Sequence, residues 1–265
     1  MHEILARLPP GSAVLDLGSG AGSFDARMLP LQVVRADLAA QRPVHGDFVV
    51  CSASRLPFAS QSFNALILNH SFEHFENLPD CVSEMARVLA PEAFLYIAVP
   101  DASTFTDRVY RWLGRGGGHV NLFTDATVIP RMMTAATGLK HAGTRVLSTS
   151  LSFLNRRNIV SRPPGKLLLF AYGYEGFLRA LNFVLRRLDR WLHWRTSVYG
   201  WAFYFGDSLT PDRGTWTNVC VRCGSGHPSA FATRNFFHQR RGPAGIEMTA
   251  QGAPGRAEAR LRPAA

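Results

Sequence analysis

Short apolar runs recur along the first hundred residues, each ending at a polar residue, a glycine or a proline. These runs predict buried strands at residues 13–17, 31–36, 48–51, 65–68 and 94–99. Between the last two strands, residues 79–89 carry apolar side chains at the spacing of an amphipathic helix. Strands that alternate with short helices predict an α/β fold with a mainly parallel sheet.

The pattern changes after Pro100. Residues 125–137 predict a helix, 144–147 a sixth strand, and 217–221 the last strand. Residues 177–195 predict a further helix with one apolar, aromatic side and one basic side.

The chain therefore divides by composition into four predicted parts. The last part is rich in glycine, alanine, proline and arginine without periodicity, which is typical of disorder. The parts are a core at 1–150, a basic aromatic helical insertion at 151–200, the strand or strands that complete the sheet at 201–227, and a disordered tail at 228–265.

Composition and charge narrow the class of protein. Hydrophobic residues make up 46% of the chain and charged residues 18%, as in a globular protein. No run reaches the ~20 apolar residues that span a bilayer, and residues 1–5 have no signal-peptide features. We therefore expect a cytoplasmic protein, with peripheral contact to the inner face of the membrane through 166–195 as an extension of that expectation.

Charge is distributed unevenly along the chain. Residues 1–100 hold ten acidic and six basic side chains, whereas residues 101–227 hold seven acidic and seventeen basic ones. The basic half suggests an anionic partner: a phosphate-bearing substrate, a membrane surface or nucleic acid. A solvated basic surface with no partner explains it equally well.

A glycine-rich loop follows the first strand, in the segment Asp16-Leu17-Gly18-Ser19-Gly20-Ala21-Gly22. Glycines at this position let a ligand approach the bare backbone. A dinucleotide site needs a third glycine where Ser23 stands, and an acid before the first glycine suits a cationic amino-acid ligand better than a pyrophosphate. Asp37 ends the second strand, where a carboxylate accepts ribose hydroxyls in doubly wound folds.

Several motifs in fixed order resemble one enzyme family. Residues 14–99 resemble the class I S-adenosylmethionine-dependent methyltransferases, in the broad group called type 11. Besides the glycine loop, the segments that carry the resemblance are Ala36-Asp37-Leu38, Leu56-Pro57-Phe58, Ser62-Phe63-Asn64-Ala65, Asn69-His70-Ser71-Phe72-Glu73-His74 and Met85-Ala86-Arg87-Val88-Leu89.

The resemblance implies a fold and a set of site residues. The fold is a Rossmann-like, seven-stranded sheet of order 3-2-1-4-5-7-6, with an antiparallel last strand and helices on both faces. The helical insertion before the last strand comes from the sequence pattern, because 151–200 resembles nothing in the family. The cofactor is S-adenosylmethionine, and its expected binding residues are Asp16, Gly18, Gly20, Gly22, Asp37, Leu38, Ser52, Ala53 and Asn69. Two departures stand out: Ser52 replaces an acid that many relatives carry, and the N-terminal segment that covers the cofactor is short.

Methyl transfer to oxygen requires a base, and the expected catalytic residues are His70 and His119. His74 reads as a structural histidine at a helix start. Cys220 and Cys223 have the spacing of a zinc knuckle but no second pair, and no residue set suggests a metal for catechol-type transfer. We therefore predict no metal.

The prediction is a methyltransferase that acts on a small-molecule or lipid-linked acceptor, preferably at oxygen. Two alternatives remain: an RNA methyltransferase that uses the basic half, although no aromatic RNA-stacking motif is present, and a non-catalytic cofactor-binding protein with a degenerate site. Nucleic acid is thus the less favoured partner, and the sequence indicates no oligomeric state.

Overall fold

The structure is a computed structural model that describes residues 1–5, 7–20, 22–24, 26, 29–39, 47–113, 118–147, 175–196, 198–207, 218–219 and 226–227. Residues 151–174 of the predicted insertion, Cys220, Cys223 and the tail from residue 228 lie outside the described residues. The four-part division of the chain therefore stays a prediction.

Seven strands form one sheet in the order β3-β2-β1-β4-β5-β7-β6. β1 to β5 are parallel to one another, and β7 is antiparallel to both β5 and β6. This arrangement confirms the order and the antiparallel strand that the resemblance implied. The bounds are β1 (Ala13–Leu17), β2 (Gln32–Asp37), β3 (Asp47–Val50), β4 (Phe63–Asn69), β5 (Leu89–Pro100), β6 (His141–Leu147) and β7 (Gly200–Phe205).

The last strand of the sheet is not where the pattern put it. β7 is Gly200–Phe205, and all six residues are buried between its neighbours. The predicted strand at 217–221 is represented by β8 (Asn218–Val219), which pairs with β9 (Gly226–His227) in a separate two-stranded ribbon. A central strand needs apolar side chains on both faces, and the run Gly-Trp-Ala-Phe-Tyr-Phe supplies them.

The helices lie between the strands. They are α1 (His2–Leu5), α2 (Leu78–Val88), α3 (Phe105–Leu113), α4 (Val128–Thr137) and α5 (Glu175–Leu192), with a short 3-10 helix at Phe72–His74. α5 precedes β7, which confirms a helical insertion before the last strand of the sheet. Among the described residues, no helix combines the length and the apolar character needed to cross a membrane.

The sheet has a hydrophobic core on each face, because successive side chains of a strand point to opposite sides. Leu15 and Leu17 of β1 belong to the core that includes Met85 of α2 and Met133 of α4. Val14, directly before Leu15, belongs to the core on the other face, which α1 helps to close.

One ion pair ties the loop before β4 to α2. Arg87 donates to the carbonyl oxygens of Leu56 and Phe58 at 3.0 and 2.8 Å, and its Nε lies 2.7 Å from the Glu84 carboxylate. Glu84 in turn accepts the backbone N–H of Leu56 at 2.7 Å. Two of the segments that carry the family resemblance are therefore in direct contact.

The candidate site lies at the carboxyl edge of the parallel strands. The glycine loop follows β1, Asp37 ends β2, Ser52 comes shortly after β3, and Asn69 ends β4. Parallel strands end at a common edge, where doubly wound folds bind ligands. The fold therefore brings the ends of these four strands to one side of the sheet.

Candidate active site

Two positions of the loop require or allow glycine for different structural reasons. Gly18 has φ +67°, and a Cβ there would overlap the Cβ of Ser71, whose hydroxyl donates to the Leu17 carbonyl at 2.8 Å. Gly20 has φ +52°, and apart from its chain neighbours no atom of the described residues would lie within 4 Å of a Cβ there. Gly18 therefore allows the β1 loop to pack on the β4 loop, while Gly20 leaves an open stretch of backbone.

Asp16 holds the loop from its buried side. Its carboxylate is fully buried and accepts the Ser23 N–H at 2.9 Å and the Ser23 hydroxyl at 2.6 Å, with the Arg35 Nε at 3.8 Å. Burial raises the pKa of Asp16, against the opposing effect of the Ser23 bonds. The Arg35 guanidinium also occupies the space that a side chain at Gly22 would need. Contact of Asp16 or Gly22 with the cofactor remains a prediction.

Asp37 lies directly across from the open backbone. Its Oδ2 accepts the Gly20 N–H at 2.7 Å, and its Oδ1 accepts the Ala39 N–H at 3.2 Å. The next side chain, Leu38, is 76% exposed. A carboxylate beside an exposed leucine has the chemistry to accept ribose hydroxyls and to cover a base.

The end of β3 is aligned with Asp37. The Cys51 N–H donates to the Asp37 carbonyl at 3.0 Å. The next residue, Ser52, has its hydroxyl hydrogen-bonded to the Ser54 hydroxyl at 2.8 Å. Ser52 is exposed and Ala53 half-buried. The Asp37 carboxylate, the Ser52 hydroxyl and the open glycine backbone fit a nucleoside that carries an amino-acid group. Binding of the base by Ser52 and Ala53 stays a prediction.

A group of histidines and carboxylates follows β4. His70 comes directly after Asn69, has φ +56°, and packs edge-on against the Tyr199 ring at 5.1 Å. Among the described residues neither ring nitrogen of His70 has a hydrogen-bond partner. Burial lowers the pKa of His70 to about 3, with the neighbouring histidines acting in the same direction, so His70 is neutral at physiological pH. Non-glycine residues in this backbone region concentrate at functional sites.

His119 reaches this group from a distant part of the chain. Its Nδ1 lies 3.4 Å from Oδ1 of Asp107 on α3, and its ring stacks on Tyr110 at 5.3 Å. The ring also contacts that of His74, with 5.1 Å between centroids. His74 in turn has its Nδ1 2.7 Å from the Gly118 carbonyl.

Glu73 is at the centre of the group. It is 1% exposed, and its Oε1 lies 3.9 Å from His70 Nδ1 and 4.0 Å from His74 Nε2. Burial raises the pKa of Glu73 to about 8. One potential ligand atom from each of Glu73, His74 and His119 lies within 4.8 Å of the other two.

Sequence reasoning therefore found part of this group and missed the rest. It singled out His70 and His119, which the fold brings to one cluster. It named Glu73 only within the segment that carries the resemblance, assigned His74 a structural role and did not anticipate Asp107. The expectation of no metal stays a prediction, although Glu73, His74 and His119 lie close enough together to hold an ion. The adjacent pair Glu73-His74, directly after a strand end, was the available signal.

A protein-family model described as a methyltransferase domain matches residues 15–97. The demethylmenaquinone methyltransferase of Thermotoga maritima is 30% identical over 174 residues, which are 60% of this chain and 70% of the relative. The malonyl-(acyl-carrier protein) O-methyltransferase of Methylococcus capsulatus is 28% identical over 186 residues, covering 60% and 68%.

Other matches cover a smaller share of the protein that this chain is compared with. The chain spans 27% of the biotin biosynthesis bifunctional protein of Cellvibrio japonicus, at 28% identity over 46% of this chain. Among solved structures, the phosphoethanolamine N-methyltransferase 2 of Haemonchus contortus, in complex with S-adenosylhomocysteine, aligns with a TM-score of 0.50 and 16% identity. That alignment covers 78% of this chain and 51% of the solved one, and it supports the fold.

Proposed function

Since this chain belongs to the class I S-adenosylmethionine-dependent methyltransferases, we propose that it transfers the methyl group to a hydroxyl of a small-molecule or lipid-linked acceptor. The observation that carries the choice of oxygen is the buried cluster after Asn69, in which His70, Glu73 and His119 come together. A hydroxyl acceptor must lose a proton to react, and this cluster supplies groups that can orient the hydroxyl and take the proton.

S-adenosylmethionine supplies a methyl group on a sulfonium, which is already a good leaving group. The task of the protein is alignment, worth up to ~7–11 kcal/mol in favourable cases. The open backbone at Gly20 and the Asp37 carboxylate would hold the cofactor, and Asn69 would lie near its methionine end. The cluster begins one residue further along, on the acceptor side of Asn69.

Within the cluster the geometry suits an oriented histidine. The Asp107 carboxylate faces Nδ1 of His119, so it favours the tautomer in which Nδ1 carries the proton and Nε2 is free to accept one. General-base assistance of this kind contributes typically 10²–10⁴-fold. The name of the Methylococcus relative, an O-methyltransferase, agrees with an oxygen acceptor.

An exposed apolar stripe on α5 supports an acceptor linked to lipid. Phe183, Val184, Trp191 and Leu192 are exposed, whereas Leu185 is buried. Arg187 and Arg190 are exposed among them. An aromatic and basic helix surface of this kind suits a membrane interface. We therefore extend the proposal to peripheral contact with anionic lipid through this stripe.

The acceptor atom is tested with a matched pair of substrates. A long-chain alkylphenol and the aniline of the same chain length are incubated with the full chain and S-adenosylmethionine labelled in the methyl group. We expect label on the phenol and little on the aniline. Label on nitrogen, or on bulk RNA in a parallel reaction, would contradict oxygen transfer. Absence of S-adenosylhomocysteine binding by calorimetry would contradict catalysis altogether.

Membrane contact is tested by flotation with phosphatidylglycerol vesicles, using phosphatidylcholine vesicles as the neutral reference. Trp191→Ser should reduce the floated fraction several-fold. Trp112→Ser removes a tryptophan of α3 that is 47% exposed, against 70% for Trp191, and should leave flotation unchanged. Equal flotation of the two variants would exclude the α5 stripe as the contact surface.

A further inference from the structure

Glu73, His74 and His119 have the composition of a metal centre. One carboxylate oxygen and two imidazole nitrogens lie within 4.8 Å of one another. Two histidines and one carboxylate bind divalent zinc, iron, manganese or cobalt and leave positions open for a substrate. We propose that these three residues bind one divalent transition-metal ion, which holds the oxygen of the methyl acceptor; this role rests on the function proposed above.

Both histidines are oriented as metal-binding histidines are. A ligating histidine usually directs its other ring nitrogen at a carboxylate or a backbone carbonyl. His74 has Nδ1 at 2.7 Å from the Gly118 carbonyl, and His119 has Nδ1 at 3.4 Å from the Asp107 carboxylate. The His74 contact is a hydrogen bond and the His119 contact is an ion-pair distance without a hydrogen bond. Both leave Nε2 as the candidate ligand atom.

The carboxylate of Glu73 supplies a second, independent observation. Its side chain is almost completely buried, and among the described residues its Oε2 has no hydrogen-bond partner. A buried acidic oxygen without a partner is costly, and a bound cation would remove that cost. The ring of His70 is 10% exposed, but both of its nitrogens are buried without a hydrogen-bond partner among the described residues. Its Nδ1 lies 3.9 Å from Oε1 of Glu73 and is available as a fourth ligand.

The distances require a small contraction on binding. Nitrogen and oxygen ligands lie about 2.0–2.2 Å from zinc, so two of them at tetrahedral angles are about 3.4 Å apart. The present separations of up to 4.8 Å therefore close by roughly an ångström. Side-chain rotation of His74, which is partly exposed, and of Glu73 can supply this movement.

The ion would act as a Lewis acid on the acceptor. With the ion bound, Nε2 of His119 is a ligand and no longer the base, so the acceptor hydroxyl gives its proton to water. Its oxygen then forms the new bond to the methyl carbon while the carbon–sulfur bond breaks, and the electron pair of that bond stays on sulfur. No oxidant or reductant takes part.

The test is metal binding by the full chain. The protein is freed of metal with a chelator and titrated with Zn²⁺ by calorimetry and with Co²⁺ by its visible absorption. We expect one ion per chain in the cluster, with His74→Ala and His119→Gln weakening binding at least about 100-fold. Asp107→Asn should weaken it about 10- to 100-fold, the usual effect of losing an outer-shell partner. His141→Gln, on β6, is the matched control and should bind as the unaltered chain does.

Three results would overturn the metal site. They are no ion bound by the unaltered chain, binding that the cluster variants leave unchanged, and binding that disappears only when Cys220 and Cys223 are replaced by serine. Loss of metal counts as evidence only in a variant whose melting temperature stays within a few degrees of that of the unaltered chain. If His119→Gln unfolds, His74→Ala is used instead, because His74 is partly exposed.

Activity separates this inference from the proposed function. Hydroxyl methylation that continues at full rate in the metal-free chain would overturn the role of the ion and leave oxygen transfer standing, with the histidines as bases. Restoration of hydroxyl methylation by Zn²⁺ or Co²⁺ would support both. Methylation confined to nitrogen acceptors in the metal-loaded chain would overturn the oxygen assignment, while the binding titration would still decide the metal site.

Discussion

Replacement of Asp37 by asparagine should weaken cofactor binding without unfolding the chain. In the structure the carboxylate already accepts the Gly20 N–H at 2.7 Å and the Ala39 N–H at 3.2 Å. It is half-buried at the end of β2. Asparagine keeps the shape of the side chain but replaces one oxygen by a donor and removes the charge.

The expected magnitude follows from the bond that is lost. Hydrogen bonds to charged groups contribute about 1.5–3 kcal/mol, and each 1.4 kcal/mol corresponds to about tenfold in affinity. One ribose hydroxyl that loses its charged acceptor should therefore raise the Kd for S-adenosylhomocysteine about 10- to 150-fold. Asp37→Ala, which removes both oxygens, should weaken binding further.

The assay is calorimetric titration with S-adenosylhomocysteine, together with melting of each protein without ligand. Asp47→Asn is the matched control, because it removes the same charge from an exposed position at the start of β3. This position is at the amino end of the strand, whereas the site lies at the carboxyl ends. An unchanged Kd for Asp37→Asn would refute the ribose assignment. A large fall in its melting temperature would instead indicate that the Gly20 bond holds the loop, and the Kd of Asp37→Glu would then test the ligand role.

Three further predictions concern packing and reactivity. Gly18→Ala should destabilise the chain by about 1–3 kcal/mol in urea unfolding, since the new Cβ would overlap Ser71. Adding Ser71→Gly to the same chain should recover part of this loss. An unchanged urea midpoint for Gly18→Ala would contradict the close packing of Gly18 on Ser71. Arg87→Ala should cost about 1–3 kcal/mol because it leaves buried acceptors unpaired, whereas Arg131→Ala, at an exposed site, should change stability by less than about 0.5 kcal/mol. Burial raises the pKa of the Cys81 thiol to about 11, so at pH 8 iodoacetamide should modify Cys81 far more slowly than free cysteine, as measured by peptide mass spectrometry; equal rates would contradict its burial.

The strands that the hydrophobic pattern predicted well are those with polar or glycine boundaries. β1 was predicted with its observed bounds, and β2, β3, β4 and β6 to within three residues, because the apolar runs stop at residues such as Asp37 and Asn69. β5 begins at Leu89, five residues before its predicted start. β7 was missed because Gly200–Phe205 adjoins the aromatic helix region without a boundary. A short apolar run of this kind does not distinguish a buried strand from a helix segment.

The cofactor-binding residues and the histidine–carboxylate cluster after β4 differ in how far the sequence predicts them. The residues expected to hold the cofactor lie at or just after the carboxyl ends of strands, so a correct strand assignment places them at one edge. The acceptor cluster depends on residues far apart in the chain: Asp107 comes from α3, and His119 from beyond the glycine-rich segment at 114–118. Nothing in the local pattern of either segment indicates that they meet Glu73.

What brings them together is a backbone contact of Glu73 itself. The N–H groups of Val120 and Asn121 both donate to the Glu73 carbonyl at 2.9 Å, and the Asn121 side chain donates to the Phe75 carbonyl at 2.7 Å. The same residue thus anchors the segment that carries His119 and directs its carboxylate toward that histidine. A change that shifts this segment by one residue would separate His119 from Glu73 and leave the cofactor half intact. In the function proposed above, the choice of acceptor therefore depends in part on the segment at 118–121, which lies outside the residues matched by the family model.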